Sequence, residues 1–207
     1  MPASHQTAEG ARPRRRADAE RSIARILDAA VGALGEDQDA SMSEIARRAG
    51  VVRATIYVHF PTREALLEAV TERALAEVAT VINAAEPERG APADALARVV
   101  AATWRRLGPY HALIAINTGT QTHDELHHRH GSVLGTLLPL IERGQAAGDF
   151  RTDVPAGWHL AMFMALIHAG SAELQARRVP EADAEAALVA TVLGAIASPG
   201  ASGTDTA

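Results

Sequence analysis

From position 21 the apolar residues Ile23, Ile26, Leu27, Ala30, Val31 and Leu34 recur at spacings of three and four, the stripe of an amphipathic helix, and Gly35 ends it. Ser41, Met42, Ser43 and Glu44 then have the form of a capping box, in which the Ser41 hydroxyl accepts from a free amide of the first turn while Glu44 reaches back. They open a short helix that Gly50 terminates, since glycine takes the left-handed conformation without steric cost. A second short helix over 52–59 stops before Pro61. Thr62 caps a much longer one carrying Leu66, Val70, Leu75, Val78 and Ile82, which closes near Glu86 and Pro87. Beyond a loop at 86–91, the pattern predicts helices at 92–107, 110–118, 123–147 (capped from Thr122), 155–178 and 182–197, about nine in all.

Composition agrees with an all-α fold. Ala and Leu abound, β-branched runs are rare, and the 207 residues are 47% hydrophobic, enough for a sizeable core. The absence of cysteine excludes disulfides, thiolate metal sites and thiol nucleophiles, and fits a reducing compartment. No run approaches the roughly 18 apolar residues of a membrane span, so a cytoplasmic protein without a membrane partner is expected. Every basic residue is Arg, so position matters more than type. Residues 1–70 balance ten Arg against ten acids, while 71–207 hold ten against fifteen. Within 41–63, Arg47, Arg48, Arg53 and Arg63 face only Glu44, and another basic cluster lies at 12–16; both suit a polyanion.

The informative stretch is 45–60. Two short helices meeting steeply need a small residue at their contact (Ala46), tolerance of positive φ at the turn (Gly50) and inward apolar groups (Ile45, Ala49, Val51, Ile56). That leaves Arg53, Ala54, Thr55, Tyr57 and His59 outward on the second helix, where a major groove would be read. An ordinary αα-hairpin in a helical core has the same geometry. The run Ser41, Ile45-Ala46, Ala49-Gly50-Val51, Thr55-Ile56-Tyr57-Val58-His59-Phe60 and Arg63-Glu64-Ala65-Leu66 resembles the signature of TetR-family regulators, over about residues 21–70. The remainder is similar to the family only in helix count and length.

Small, polar and charged residues predict a flexible basic arm at 1–17, and Gly, Ser, Thr and Ala a disordered tail at 199–207; the resemblance implies a three-helix helix-turn-helix DNA-binding domain at 18–68 and a ligand-binding and dimerisation domain at 69–198. It also implies a repressor released from a palindromic operator by a small-molecule inducer, and no enzyme. Arg53, Ala54 and Thr55 would face base edges, Tyr57 and His59 phosphate or groove walls, and Arg63 and Ser43 phosphates. Val52 belongs to the same surface, but stands where the family often has a capping Ser or Thr; losing a cap costs about 1 kcal/mol. Ala54 and Arg63 replace the frequent Gly and usual Lys.

In the second part, residues 157–170 are apolar almost all round, so one side should meet the chain's own core and another a partner. Ala184, Ala187, Leu188, Thr191, Val192, Ala195 and Ile196 form a second stripe, and a homodimer through helices near 155–178 and 182–197 is expected. Trp104, Tyr110, His111, Asn117, His123, His127, Met162, Phe163 and His168 are candidates for a largely apolar inducer pocket with a few polar groups, although aromatic and Met residues also serve as plain core. The cluster His123, Asp124, Glu125, His127, His128 and His130 allows a rival reading as a helical metal- or ligand-binding protein or enzyme. Such clusters more often mark a solvated helix start, so no metal and no cofactor is expected. No nucleophile elbow, phosphate-binding glycine loop or His-Glu-x-x-His motif supports catalysis.

Overall fold

The computed structural model describes residues 11–120, 125 and 128–199. They form α1 (Ala11–Glu36), α2 (Met42–Arg48), α3 (Arg53–His59), α4 (Arg63–Ala84), α5 (Pro92–Leu107), a 3₁₀ turn (Gly108–Tyr110), α6 (His111–Thr120), α7 (Gly131–Ala147), α8 (Ala156–Gln175) and α9 (Glu181–Ile196). The fold is all-helical, as expected. Among the described residues the only β-type pairing is one bridge between Phe150 and Ala197, which ties the end of α9 to the α7–α8 turn. The chain divides into two compact units that meet at Thr71 and Glu72, so α4 passes from one to the other.

In the first unit α2 packs on α1 and α3 on α2. Ile26 and Leu34 of α1, Ile45 of α2, Ile56 of α3 and Leu66 and Val70 of α4 are all sealed. Local chemistry sets the short elements. Ser41 Oγ accepts from the Glu44 amide at 3.2 Å, capping α2, and Gly50 takes φ +65° in the turn to α3. Only half of the expected capping box forms, because the Glu44 carboxylate turns to the Arg47 guanidinium instead of the Ser41 amide. Thr62 Oγ1 accepts from the Ala65 amide at 3.1 Å and starts α4. The first helix also begins earlier than the apolar stripe suggested: α1 runs from Ala11, so residues 11–17, expected to be a flexible arm, are helical. Ala and Arg, both good helix formers, sustain those turns without an apolar face.

In the second unit α8 packs against α6, α7 and α9, while α5 packs against α7 and α9. The 86–91 loop is pinned by two arginines: Arg98 donates to the carbonyls of Ala85, Glu86 and Arg89, and Arg143 to those of Pro87, Glu88 and Gly90. The single helix expected over 123–147 is interrupted. His130 lies in a turn, and α7 begins at Gly131, where glycine's poor helix propensity favours a break. Of the two sides expected for the apolar α8, one against the chain's own core and one against a partner, the single chain buries the first and leaves the second open. Its inner face carries Leu160, Phe163, Met164 and Ile167, while Trp158 and Met162 stand 55% and 36% exposed on the outer one.

Candidate functional site

A helix advances 100° per residue, so Arg53, Tyr57, Ala54 and Val58 occupy one continuous arc of α3 opposite buried Ile56. Arg53, Ala54, Tyr57 and Val58 are exposed, as is Val52 before them. Thr55 and His59 flank the arc and are half-buried. Val52 occupies the N-cap position and makes no side-chain cap bond, leaving the first-turn amides of α3 without a side-chain partner. Ser43 is exposed on α2. Val58, 77% exposed, did not figure among the expected contacts. Its position one turn beyond Ala54 is the signal that marks it, and an exposed Val beside a groove can meet a thymine methyl.

The arginines around this surface divide sharply. Arg47 is paired with Glu44 at 2.5 Å and Arg48 with Glu36 at 2.5 Å, and both acids are held below the usual carboxylate range, first by the hydrogen bond from the arginine. Arg63 is half-buried and donates to the carbonyls of Ala40 and Gln38, the latter at 2.5 Å. Expected as a phosphate clamp, it staples the first turn of α4 onto the α1–α2 loop in the unbound chain. Arg53 alone among the four has its guanidinium without an acid or carbonyl partner, and it lies over the Tyr57 ring at 5.6 Å from the centroid. A cation held on an aromatic face keeps its donors directed outward at low entropic cost.

The pocket candidates separate into groups. Trp104, Tyr110, His111, Asn117 and Phe163 are buried in the second unit. The Trp104 and His111 rings lie 4.4 Å apart, and His111 Nδ1 is 2.8 Å from Ser171 Oγ. Burial depresses His111 to about 4, so its imidazole is neutral at ordinary pH. Tyr110 donates its hydroxyl to Glu77 Oε2 at 2.6 Å and is raised to about 12, by burial first and then by that carboxylate. Burial works to raise Glu77, but the bonds from Tyr110, Arg73 and Arg106 together hold it low. His168 is half-buried with its ring 5.7 Å from that of His130, and is lowered to about 4 by burial and by the neighbouring charge.

Met162 does not join this group. It is 36% exposed on the outer face with Trp158, one residue and about 100° round the helix from buried Phe163. His123 and His127 lie outside the described residues, as does Asp124; Glu125 and His128 are exposed. Among the described residues no three acids or histidines converge as a metal site. Thr103, absent from the expected lining, is 2% exposed with its hydroxyl unpartnered among the described residues.

Residues 26–70 match the family model of bacterial regulatory proteins of the tetR family. The chain is 30% identical over 151 residues to the HTH-type transcriptional repressor LfrR of Mycolicibacterium smegmatis, covering 73% of this chain and 78% of the relative. It is 26% identical over 150 residues to the HTH-type transcriptional regulator NfxB of Pseudomonas aeruginosa, covering 70% and 78%. Among solved structures, that of the TetR-like regulator LfrR from Mycobacterium smegmatis in complex with proflavine superposes with a TM-score of 0.69 at 26% identity, covering 86% of this chain and 97% of the other.

Proposed function

Because this chain belongs to the TetR family of bacterial regulatory proteins, we propose that it is a repressor released from a palindromic operator by a small molecule. The family's members are DNA-binding regulators and not enzymes, so α3 is the reading element. The observation that carries this reading is the open arc of α3, with Arg53 unpaired and supported by Tyr57. Arg53, Ala54, Thr55 and Val58 read base edges, and Tyr57, His59, Val52 and Ser43 meet the groove walls and phosphates. Arg47 joins them by exchanging its exposed Glu44 for a phosphate, since surface ion pairs are weak.

Two copies pair through the outer faces of α8 and α9, where Trp158, Met162, Ala187 and Thr191 are exposed. A two-fold axis there sets the two reading helices about 34 to 36 Å apart. The inducer rests against some of Trp104, Tyr110, His111, Asn117, Phe163 and His168. Support comes from their burial and from the relative crystallised with proflavine, a compound bound by that protein. Helix α4 carries the response, as it starts at the Arg63 staple and bears Glu77. Linkage requires inducer to weaken operator binding by the factor by which operator weakens inducer. Selection of genomic fragments retained at low salt, followed by a screen for compounds that release them, tests the proposal. Retention of palindromic duplexes supports it, and failure to retain any duplex ends it.

A further inference from the structure

The Trp104–His111 contact also opens outward. A trough of about 1050 Å³ runs between α5 and α9, walled by Ala97, Ala101, Trp104, Leu174, Val189 and Leu193. A second cleft of about 670 Å³ continues from it around the α8–α9 turn. Gly108, His111, Leu174 and Glu181 border both, so His111 stands at their junction. The trough lies on a different side of α9 from Ala187 and Thr191, the residues assigned above to pairing.

The chemistry of His111 decides what fits. Ser171 donates its hydroxyl to the Ile167 carbonyl at 2.8 Å, so its oxygen must accept the hydrogen of His111 Nδ1. That fixes the tautomer, and the imidazole is neutral. Its remaining nitrogen, Nε2, is therefore an acceptor with no partner among the described residues, on a side chain only 3% exposed. It is not among the sealed, unsatisfied atoms, so it reaches the open space its residue borders. Of the charges bordering the trough, Arg105 is paired with Glu185 at 3.0 Å and Arg98 is spent on loop carbonyls, while Glu181 is exposed to solvent at one end. An apolar wall, one aromatic face and one fixed acceptor define an uncharged occupant.

We propose that the α5–α9 trough is a ligand site for an uncharged, planar, mostly apolar molecule whose single N–H or O–H group is held by His111 Nε2. The site extends the ligand-responsive reading above, naming the ligand's chemistry and the side from which it is held. Its gap of about 1050 Å³ accepts a body of two to three fused rings with room to spare, at the upper end of the span of small-molecule sites.

The chain has two Trp, so Trp158→Phe leaves Trp104 as the reporter. In that background 1-aminoanthracene, an uncharged planar amine, should quench Trp104 emission saturably, while 9-methylanthracene, which lacks the donor, binds about tenfold more weakly, the loss expected for one hydrogen bond. His111→Leu should erase the difference between the two probes. Because a buried substitution can disturb folding, Ala186→Leu with Ala190→Leu fills the trough from exposed positions instead and should abolish quenching with the helical circular dichroism unchanged. Equal binding of the two probes, or quenching that survives the filled trough, overturns the inference. Operator release serves as a separate readout. Compounds that release DNA from the filled-trough protein leave the regulator reading standing and remove the trough from it. Trough binding without release keeps the site and rejects its coupling to DNA.

Discussion

In the unit ending at Thr71, three of the four arginines of residues 41–63 are tied to a neighbour and one, Arg53, is held out over an aromatic ring. In the unit from Glu72 onward, the polar side chains that matter are bonded to one another: Tyr110, Arg73 and Arg106 converge on Glu77, and buried His111 is bonded to Ser171. The first arrangement suits a ligand that is a large polyanion approaching from solvent, which needs donors outside and a rigid frame beneath. The second suits a small occupant surrounded by protein, which needs few polar groups fixed in place. Each unit therefore hides what the other displays, and the two should respond differently to the same perturbations.

Acid should separate them most strongly. His111 and His168 titrate near 4 in the folded chain against about 6.5 when unfolded, so between those values the unfolded state binds more protons. Stability of the second unit is then fully present above about 6.5 and is lost as pH falls toward 4, which urea midpoints measured across that range will register. A midpoint independent of pH there would erase the contrast. Gly144→Ala comes next. A Cβ at that position would overlap the buried Phe150 ring, and overpacking of this kind costs about 2 to 3 kcal/mol, visible as a lowered urea midpoint.

Arg63→Ala sharpens the comparison from the other side. Loss of the bonds to Gln38 and Ala40 should lower the stability of the first unit by about 1 to 2 kcal/mol. Were Arg63 a phosphate clamp alone, stability would not move and only the salt dependence of DNA binding would change. The smallest effect is a gain: Val52→Ser supplies the side-chain cap that α3 lacks and should add about 0.5 to 1 kcal/mol in thermal unfolding.

The same contrast explains what the sequence made visible. The frame of the reading helix rests on short-range rules, with apolar groups three and four apart, Ser41 three residues from Glu44, and Gly50 at the one turn that needs positive φ. Those rules place Ile45, Ala46 and Ile56 inside and Arg53 outside. The role of Arg63 was not legible, because its carbonyl partners lie 23 and 25 residues away and nothing local announces them. In the second unit the decisive pairs are more distant still: Glu77 with Tyr110 at a separation of 33, and His111 with Ser171 at 60. Met162 was misplaced for a simpler reason. An apolar run of uniform character conceals its inner face, although Trp158, Met162, Ala165 and Ala169 do recur at helical spacing on the outer one.

The central claim is that α3 presents its Arg53–Tyr57 face to duplex DNA. Its most direct test is the affinity of the chain carrying Arg53→Ala and Tyr57→Ala for a selected operator, measured across a series of salt concentrations beside the unsubstituted protein. Binding should fall by about a hundredfold or more, as expected when a base-reading contact worth about 1 to 3 kcal/mol and its support are both removed, with the circular dichroism and unfolding midpoint unchanged. Undiminished affinity in a folded variant would contradict the account.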